Sequence, residues 1–196
     1  VSSGCIKLLK SLGYSHIDYL ILTHGDFDHM GDSIYLINNY KVKNVVLNND
    51  SFNELETNLI KELKKKKIKY YQNVEKIPIS NNIITILNTE EYDNENDNSN
   101  VIYIELNNYK FMFMGDAGVD KEKDILERYN LSNIDVLKVG HHGSKTSSSK
   151  NFINKINPKY SIISVGKNNR YGHPNKEVLD TLNDSKIYRT DQDGSI

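Results

Sequence analysis

The chain holds six histidines in 196 residues, and two of them fall within the stretch His24-Gly25-Asp26-Phe27-Asp28-His29, beside two aspartates. Two carboxylates alternating with two imidazoles on so short a segment repel and raise each other's pKa unless a positive charge sits among them. A divalent cation supplies that charge. For a single acid the ordinary reading is different: Asp26 or Asp28 would cap a helix starting near MGDS. For all four side chains together, metal ligation is the better reading. The other histidines extend the pattern. His141 and His142 follow the apolar run IDVLKVG and precede Gly143 and Ser144, His173 lies in YGHP shortly after YSIISVG, and Asp116 ends KFMFMG. His16, in SHIDY, reads as a surface residue. Acids and imidazoles thus leave four strand ends in the same chain direction, as a shared site on one sheet edge requires.

The elements that must position these groups are short and β-branched. Strands are predicted over 17–23, 42–49, 68–72, 82–88, 101–106, 110–115, 134–140, 160–166 and 186–190, with a hairpin turn at NNYK, 107–110. Helices are predicted over 31–40, 51–67, 119–130, 148–156 and 175–184. The second of these offers Ser51 and Glu54 at capping-box spacing, a stripe of Leu55, Leu59 and Leu63, and a basic end at Lys64 to Lys67 that suits a helix C-terminus. The acidic, Asn-rich stretch 90–100 reads as an exposed, mobile loop. Strands mixed with helices predict a layered α/β protein, read as one domain over 1–196.

Composition narrows the class. Hydrophobic residues make up 37% and charged residues 26%, and no apolar run is long enough to span a bilayer, so these residues are expected to make no membrane contact. The chain opens on Val1 without a basic-then-apolar leader and is expected to be a piece of a longer protein. Cys5 stands alone, which excludes an internal disulfide and a cysteine-built zinc site; it reads as a small buried or near-terminal residue. The net charge of −1 conceals an asymmetry. Lys138 to Arg189 holds ten Lys or Arg against three acids, whereas residues 1–137 hold 15 against 21. A basic C-terminal third favours an anionic partner.

With these residues in view, THGDFDHMGD, FMGDAG, DVLKVGHHGSKTSSS and SVGKNNRYGHPNKEVL resemble successive motifs of the metallo-β-lactamase superfamily. They look most like its ComEC-type branch, the soluble domain of a bacterial DNA-uptake membrane protein. The resemblance implies an α/β fold, an αββα sandwich, here lacking its N-terminal strands because the chain starts inside the first helix, near CIKLLKSLGYSHIDYL. Asp26 stands where the superfamily usually has a second His. By position, His24 and Asp26 would serve a first metal and Asp28 and His29 a second, with Asp116 bridging. His141 or His142, His142 preferred, would complete the second site. A third His, expected before the bridging acid, is missing, and Asn98 stands in that region.

The implied cofactors are two divalent ions. The oxygen-rich, thiolate-free donor set favours Mn²⁺, then Zn²⁺. Such a pair generates a nucleophile from water and clamps the oxygens of an in-line displacement. Asp28 would orient that nucleophile, and His173, Ser144 and the Gly143 amide would meet phosphate oxygens, with Lys145 and Lys167 adding charge. The expected activity is a metal-dependent phosphodiesterase acting on single-stranded DNA. Two other readings stay open: hydrolysis of small phosphodiesters or phosphocholine esters, and a non-catalytic DNA-binding module. The resemblance also implies a parent that is an integral membrane protein.

Overall fold

The computed structural model describes residues 2–49, 52–87 and 90–196, and it divides into two compact units, Val1–Val74 and Glu75–Ile196. Each unit carries its own apolar core.

In the first unit the apolar runs form three parallel strands in the order β1 (Ile17–Ile21), β2 (Val42–Val46) and β3 (Lys69–Tyr71). Ile17 pairs with Val42 and Val45 with Tyr70. Parallel pairing needs crossovers, and the helices supply them: α1 (Ser2–Ser11) precedes β1, α2 (Phe27–Met30) and α3 (Ser33–Asn39) link β1 to β2, and α4 (Glu54–Lys66) links β2 to β3. The leucine stripe of α4 behaves as its spacing predicts. Leu59 and Leu63 are fully buried among Val45 and Leu47, and Leu55 packs at the margin. Burial on this scale contributes roughly 2 kcal/mol per leucine. The helix starts two residues later than expected, in a capping box of Asn53 and Glu56, whose backbone N–H groups donate to each other's side chains at 2.9 and 3.1 Å. Ser51, the expected cap, lies outside the described residues. Lys64 to Lys66 close the last turn and Lys67 adopts the left-handed conformation, φ +56°. Cys5 is exposed on α1.

The second unit is a seven-stranded sheet. Its strands are β4 (Lys76–Ile79), β5 (Asn82–Leu87), β6 (Val101–Leu106), β7 (Tyr109–Phe113), β8 (Val136–Lys138), β9 (Tyr160–Ile163) and β10 (Lys186–Arg189), ordered β10-β9-β8-β7-β6-β5-β4. Strands β4 to β7 pair antiparallel and β7 to β10 parallel. The predicted hairpin closes through Asn107 and Asn108, both at positive φ, the conformation a two-residue turn between twisted strands demands. Strand β4 escaped prediction because Pro78 interrupts KIPI; at the end of the sheet order Pro is tolerated. Helices α5 (Val119–Arg128), α6 (Lys150–Ile156), α7 (Lys176–Thr181) and α8 (Thr190–Asp193) complete the unit. Ile125, Phe152, Ile156 and Leu137 are each almost wholly buried in its core. No helix among the described residues is long and apolar enough to cross a membrane.

Because β7, β8 and β9 run parallel, their C-terminal ends share one sheet edge. Asp116, the His141–His142 pair and the loop carrying His173 all leave from there.

The described residues of 90–100 overturn one expectation. Glu90, Glu91, Asp93 and Asn94 are exposed as expected, but Glu95–Asn98 form a 3-10 turn, and Asp97, Asn98, Ser99 and Asn100 are buried. The Asp97, Asn98 and Ser99 side chains hydrogen-bond main chain, as buried polar groups must.

Candidate metal centre

In the first unit the motif follows directly on β1. Gly25 is gripped by the cap of α4: Asn53 Nδ2 donates to the Gly25 carbonyl at 2.8 Å, and a Cβ at Gly25 would lie 2.2 Å from that nitrogen. The chain then turns into α2 with Asp26 at the N-cap position, yet the Asp26 side chain makes no cap bond. It lies 3.4 Å from His24 Nε2 instead. Ordinary capping therefore does not account for Asp26. Thr23 orients both imidazoles, its Oγ1 lying 3.2 Å from His24 Nδ1 and 3.0 Å from His29 Nδ1. A hydroxyl oxygen has two lone pairs, so Thr23 can accept from both Nδ1–H groups, the arrangement in which both Nε2 atoms carry lone pairs. The two rings stand 4.3 Å apart between centroids. His24 is fully buried, and the exposed Asp28 carboxylate lies 3.8 Å from His29 Nε2.

In the second unit the site is assembled from separate segments. Asp116 follows β7, nearly buried, and its backbone N–H donates to Ser99 Oγ at 3.0 Å. Gly118 N–H donates to Asp97 Oδ1 at 2.6 Å, so the 90–100 segment holds both sides of the Asp116 turn. Beneath it Lys121, buried on α5, donates to the Ser99 carbonyl at 2.7 Å. Burial depresses the Lys121 pKa to about 8 against the pull of Asp97 and Asp124. After β8, His141 and His142 both adopt left-handed backbone, φ +45° and +54°. Consecutive non-glycine residues there are strained by on the order of 1–3 kcal/mol each, a conformation that persists where surrounding structure enforces it. The result is that both rings face Asp116, with Nε2 atoms 3.7 and 3.8 Å from its Oδ2. His142 Nδ1 lies 2.6 Å from the Ser164 carbonyl, which can only accept. In neutral His142 the proton is therefore on Nδ1 and Nε2 carries the lone pair. His141 Nδ1 pairs with Thr146 Oγ1 at 3.1 Å.

His173 joins this group, its ring 5.9 Å from that of His141. Burial lowers its pKa, neighbouring His141 and His142 lower it further, and Asp116 opposes them. Gly143 sits at φ +81°, and a Cβ there would lie 2.6 Å from Pro174 Cβ, so only glycine lets the two loops approach. Of the other residues singled out from sequence, Ser144 is buried with its hydroxyl 3.0 Å from Thr146 Oγ1, while Lys145 and Lys167 are exposed. Asn98 accepts from Tyr92 N–H at 2.6 Å and donates to the Tyr92 carbonyl at 2.9 Å, which makes it a brace of the main chain. Ser99, Asp97, Lys121 and the Asn53–Glu56 cap lie outside the quoted motifs, and Thr23 opens one without being a ligand type; only their hydrogen bonds identify them as supports.

The donor chemistry fits divalent ions. Two ligand atoms bound at 2.0–2.1 Å in a tetrahedral shell lie roughly 3.3–3.5 Å apart. The nitrogen–oxygen separations within each unit, 3.4 to 3.8 Å, are close to that spacing. Those of 3.7 and 3.8 Å are too long for hydrogen bonds.

The family model described as the metallo-beta-lactamase superfamily matches residues 6–167, most of the chain. The chain belongs to this superfamily. Its curated relatives are of the ComEC type, and it is 34% identical over 198 residues to ComE operon protein 3 of Bacillus subtilis. That match covers 97% of this chain and 26% of the relative. It is also 27% identical to competence protein ComA of Neisseria gonorrhoeae, covering 99% of the chain and 27% of the relative. The chain thus spans about a quarter of the length of these relatives. Among solved structures, the metallo-beta-lactamase fold protein YhfI of Bacillus subtilis superposes with a TM-score of 0.53 at 12% identity, covering 88% of this chain and 74% of that one. This metallo-β-lactamase fold is the one its motifs imply. The superfamily implies divalent metal ions.

Proposed function

We propose that the chain is a metal-dependent phosphodiesterase, with single-stranded DNA as its first-choice substrate. The observation that carries the reading is the pair of donor sets, His24, Asp26, Asp28 and His29 in one unit and Asp116, His141 and His142 in the other. Every imidazole among them has its Nδ1 beside an oxygen partner and its Nε2 3.4 to 3.8 Å from a carboxylate oxygen. In this reading His24, Asp26, Asp28, His29, Asp116 and one of His141 and His142, His142 preferred, ligate divalent ions, two per chain, manganese or zinc. When bound, such ions acidify water towards neutral pH and neutralise charge on a phosphoryl oxygen.

The chain's own residues do the remainder. The exposed Asp28 carboxylate accepts a hydrogen bond from the attacking water and orients it. His173, kept neutral near pH 7 by burial and its histidine neighbours, presents a donor to a phosphate oxygen. The turn carrying Gly143, Ser144 and Lys145 and the loop carrying Lys167 add N–H groups and positive charge around the anion. The basic balance of residues 138–189 supports an anionic polymer as substrate, and the competence-protein relative supports DNA.

Comparing metal-dependent cleavage of a single-stranded oligonucleotide, bis-p-nitrophenyl phosphate and a choline phosphoester tests the assignment. The oligonucleotide is expected to be cut fastest, and D28A/H29A is expected to cut none of them. Undiminished turnover by the double variant refutes the mechanism.

A further inference from the structure

The loop between β9 and α7 carries more than His173. In Lys167-Asn168-Asn169-Arg170-Tyr171-Gly172-His173-Pro174-Asn175-Lys176, three residues are basic and none is acidic. Tyr171 at its tip is 69% exposed. Its ring is nearly parallel to that of His173, at 20° with centroids 5.9 Å apart. On Tyr171 also rests the exposed Arg170 guanidinium, 5.3 Å from the ring centroid and within 3.2 Å of the hydroxyl.

The platform is held rigidly from below. Asn169 accepts from His173 N–H at 2.9 Å and donates to the carbonyls of His173 and Gly166 at 2.7 and 3.1 Å, which closes the loop on itself. Asn175 N–H donates to the Gly143 carbonyl at 2.8 Å, tying the loop to the turn that bears His141 and His142. Gly172 turns at φ +72° with open space around it, and so lifts Tyr171 away from the body of the unit. An exposed aromatic ring on a braced basic loop, paired with an arginine and stacked against a residue of the candidate site, is the composition of a single-strand stacking platform. The Arg170 contact is weak at an exposed site. A base can displace or share that guanidinium, which then meets the phosphate.

We infer that Tyr171 and Arg170 form a nucleobase-and-phosphate subsite beside His173 that selects unpaired nucleic acid. A base stacks on Tyr171, Arg170 and Lys167 take the flanking phosphates, and the neighbouring phosphodiester is thereby presented to His173. Any base has a π-face, so the selection is for unpaired bases and not for sequence. This inference rests on the phosphodiesterase reading for its meaning but not for its test.

The test measures equilibrium binding of hydrolysis-resistant phosphorothioate oligomers to the metal-loaded chain, alongside initial cleavage rates of ordinary oligonucleotides. One oligomer is oligo-dT; the other has the same length and charge with abasic tetrahydrofuran units. Wild type is expected to bind oligo-dT on the order of ten-fold more tightly than the abasic oligomer. In Y171A this ratio falls towards one, Y171F keeps it, and R170A weakens both oligomers together. A wild-type ratio near one, or a ratio unchanged in Y171A, overturns the inference. If the ratio behaves as expected while no oligonucleotide is cut, the phosphodiesterase reading fails and the subsite stands. Cleavage without any base preference is the reverse result.

Discussion

The two donor sets reach similar local geometry by opposite routes. In the first unit, four candidate ligands lie within six residues, and one hydroxyl, Thr23, orients both imidazoles. In the second, Asp116, His141, His142 and His173 come from three strand ends, and their geometry depends on strained backbone at His141 and His142 and on a buried polar segment behind Asp116. A contiguous set needs few supports; an assembled one needs many, each individually weak. The second unit should therefore be the more easily damaged from a distance.

Glycine substitutions give the largest expected contrast. G143A places a methyl against Pro174 at a positive-φ position, and should destabilise the protein by about 3 kcal/mol in urea unfolding. G25A keeps an ordinary backbone but collides with Asn53, and should cost about 2 kcal/mol through loss of the α4 cap. Equal costs would erase the difference between the sets. Removing supports comes next. T23V takes the orienting hydroxyl from two imidazoles at once and should weaken metal binding roughly 10–100-fold. S99A removes one bond to the Asp116 backbone and should weaken it about 10-fold, at the low end of that range; titration with a metallochromic chelator distinguishes the two.

The smallest effect is a pH dependence. Lys121 has a folded pKa of about 8, below its unfolded value, so between about pH 8 and 10.5 the unfolded chain binds more protons. Stability from this group is present above that window and lost as pH falls through 8. Wild type should therefore gain on the order of 1 kcal/mol over K121M between pH 7.5 and 9.5. A constant difference in urea midpoint would mean that Lys121 does not titrate in this range.

Much of this was legible before any coordinates. HGDFDH announced itself by density of charge, and Asp116, His141, His142 and His173 by their recurrence after apolar runs, which parallel strands β7 to β9 bring to one edge. The stripe Leu55, Leu59 and Leu63 placed α4 correctly. What stayed hidden was polar structure with no periodicity. Asp97 and Ser99 lie in a stretch whose composition suggests solvent, and only a tertiary partner, the Asp116–Gly118 backbone, explains their burial. Lys121 reads as one of many surface lysines until its ammonium is found on the Ser99 carbonyl. Strand β4 was lost to a proline that only its place in the sheet order permits.

Elemental analysis of the chain purified without chelator, set beside H29A and D116A, tests the central claim most directly. Wild type should carry two divalent ions per chain, and each variant should lose metal, because both sets supply ligands. Wild type without stoichiometric metal, or variants that keep the full complement, would contradict the account.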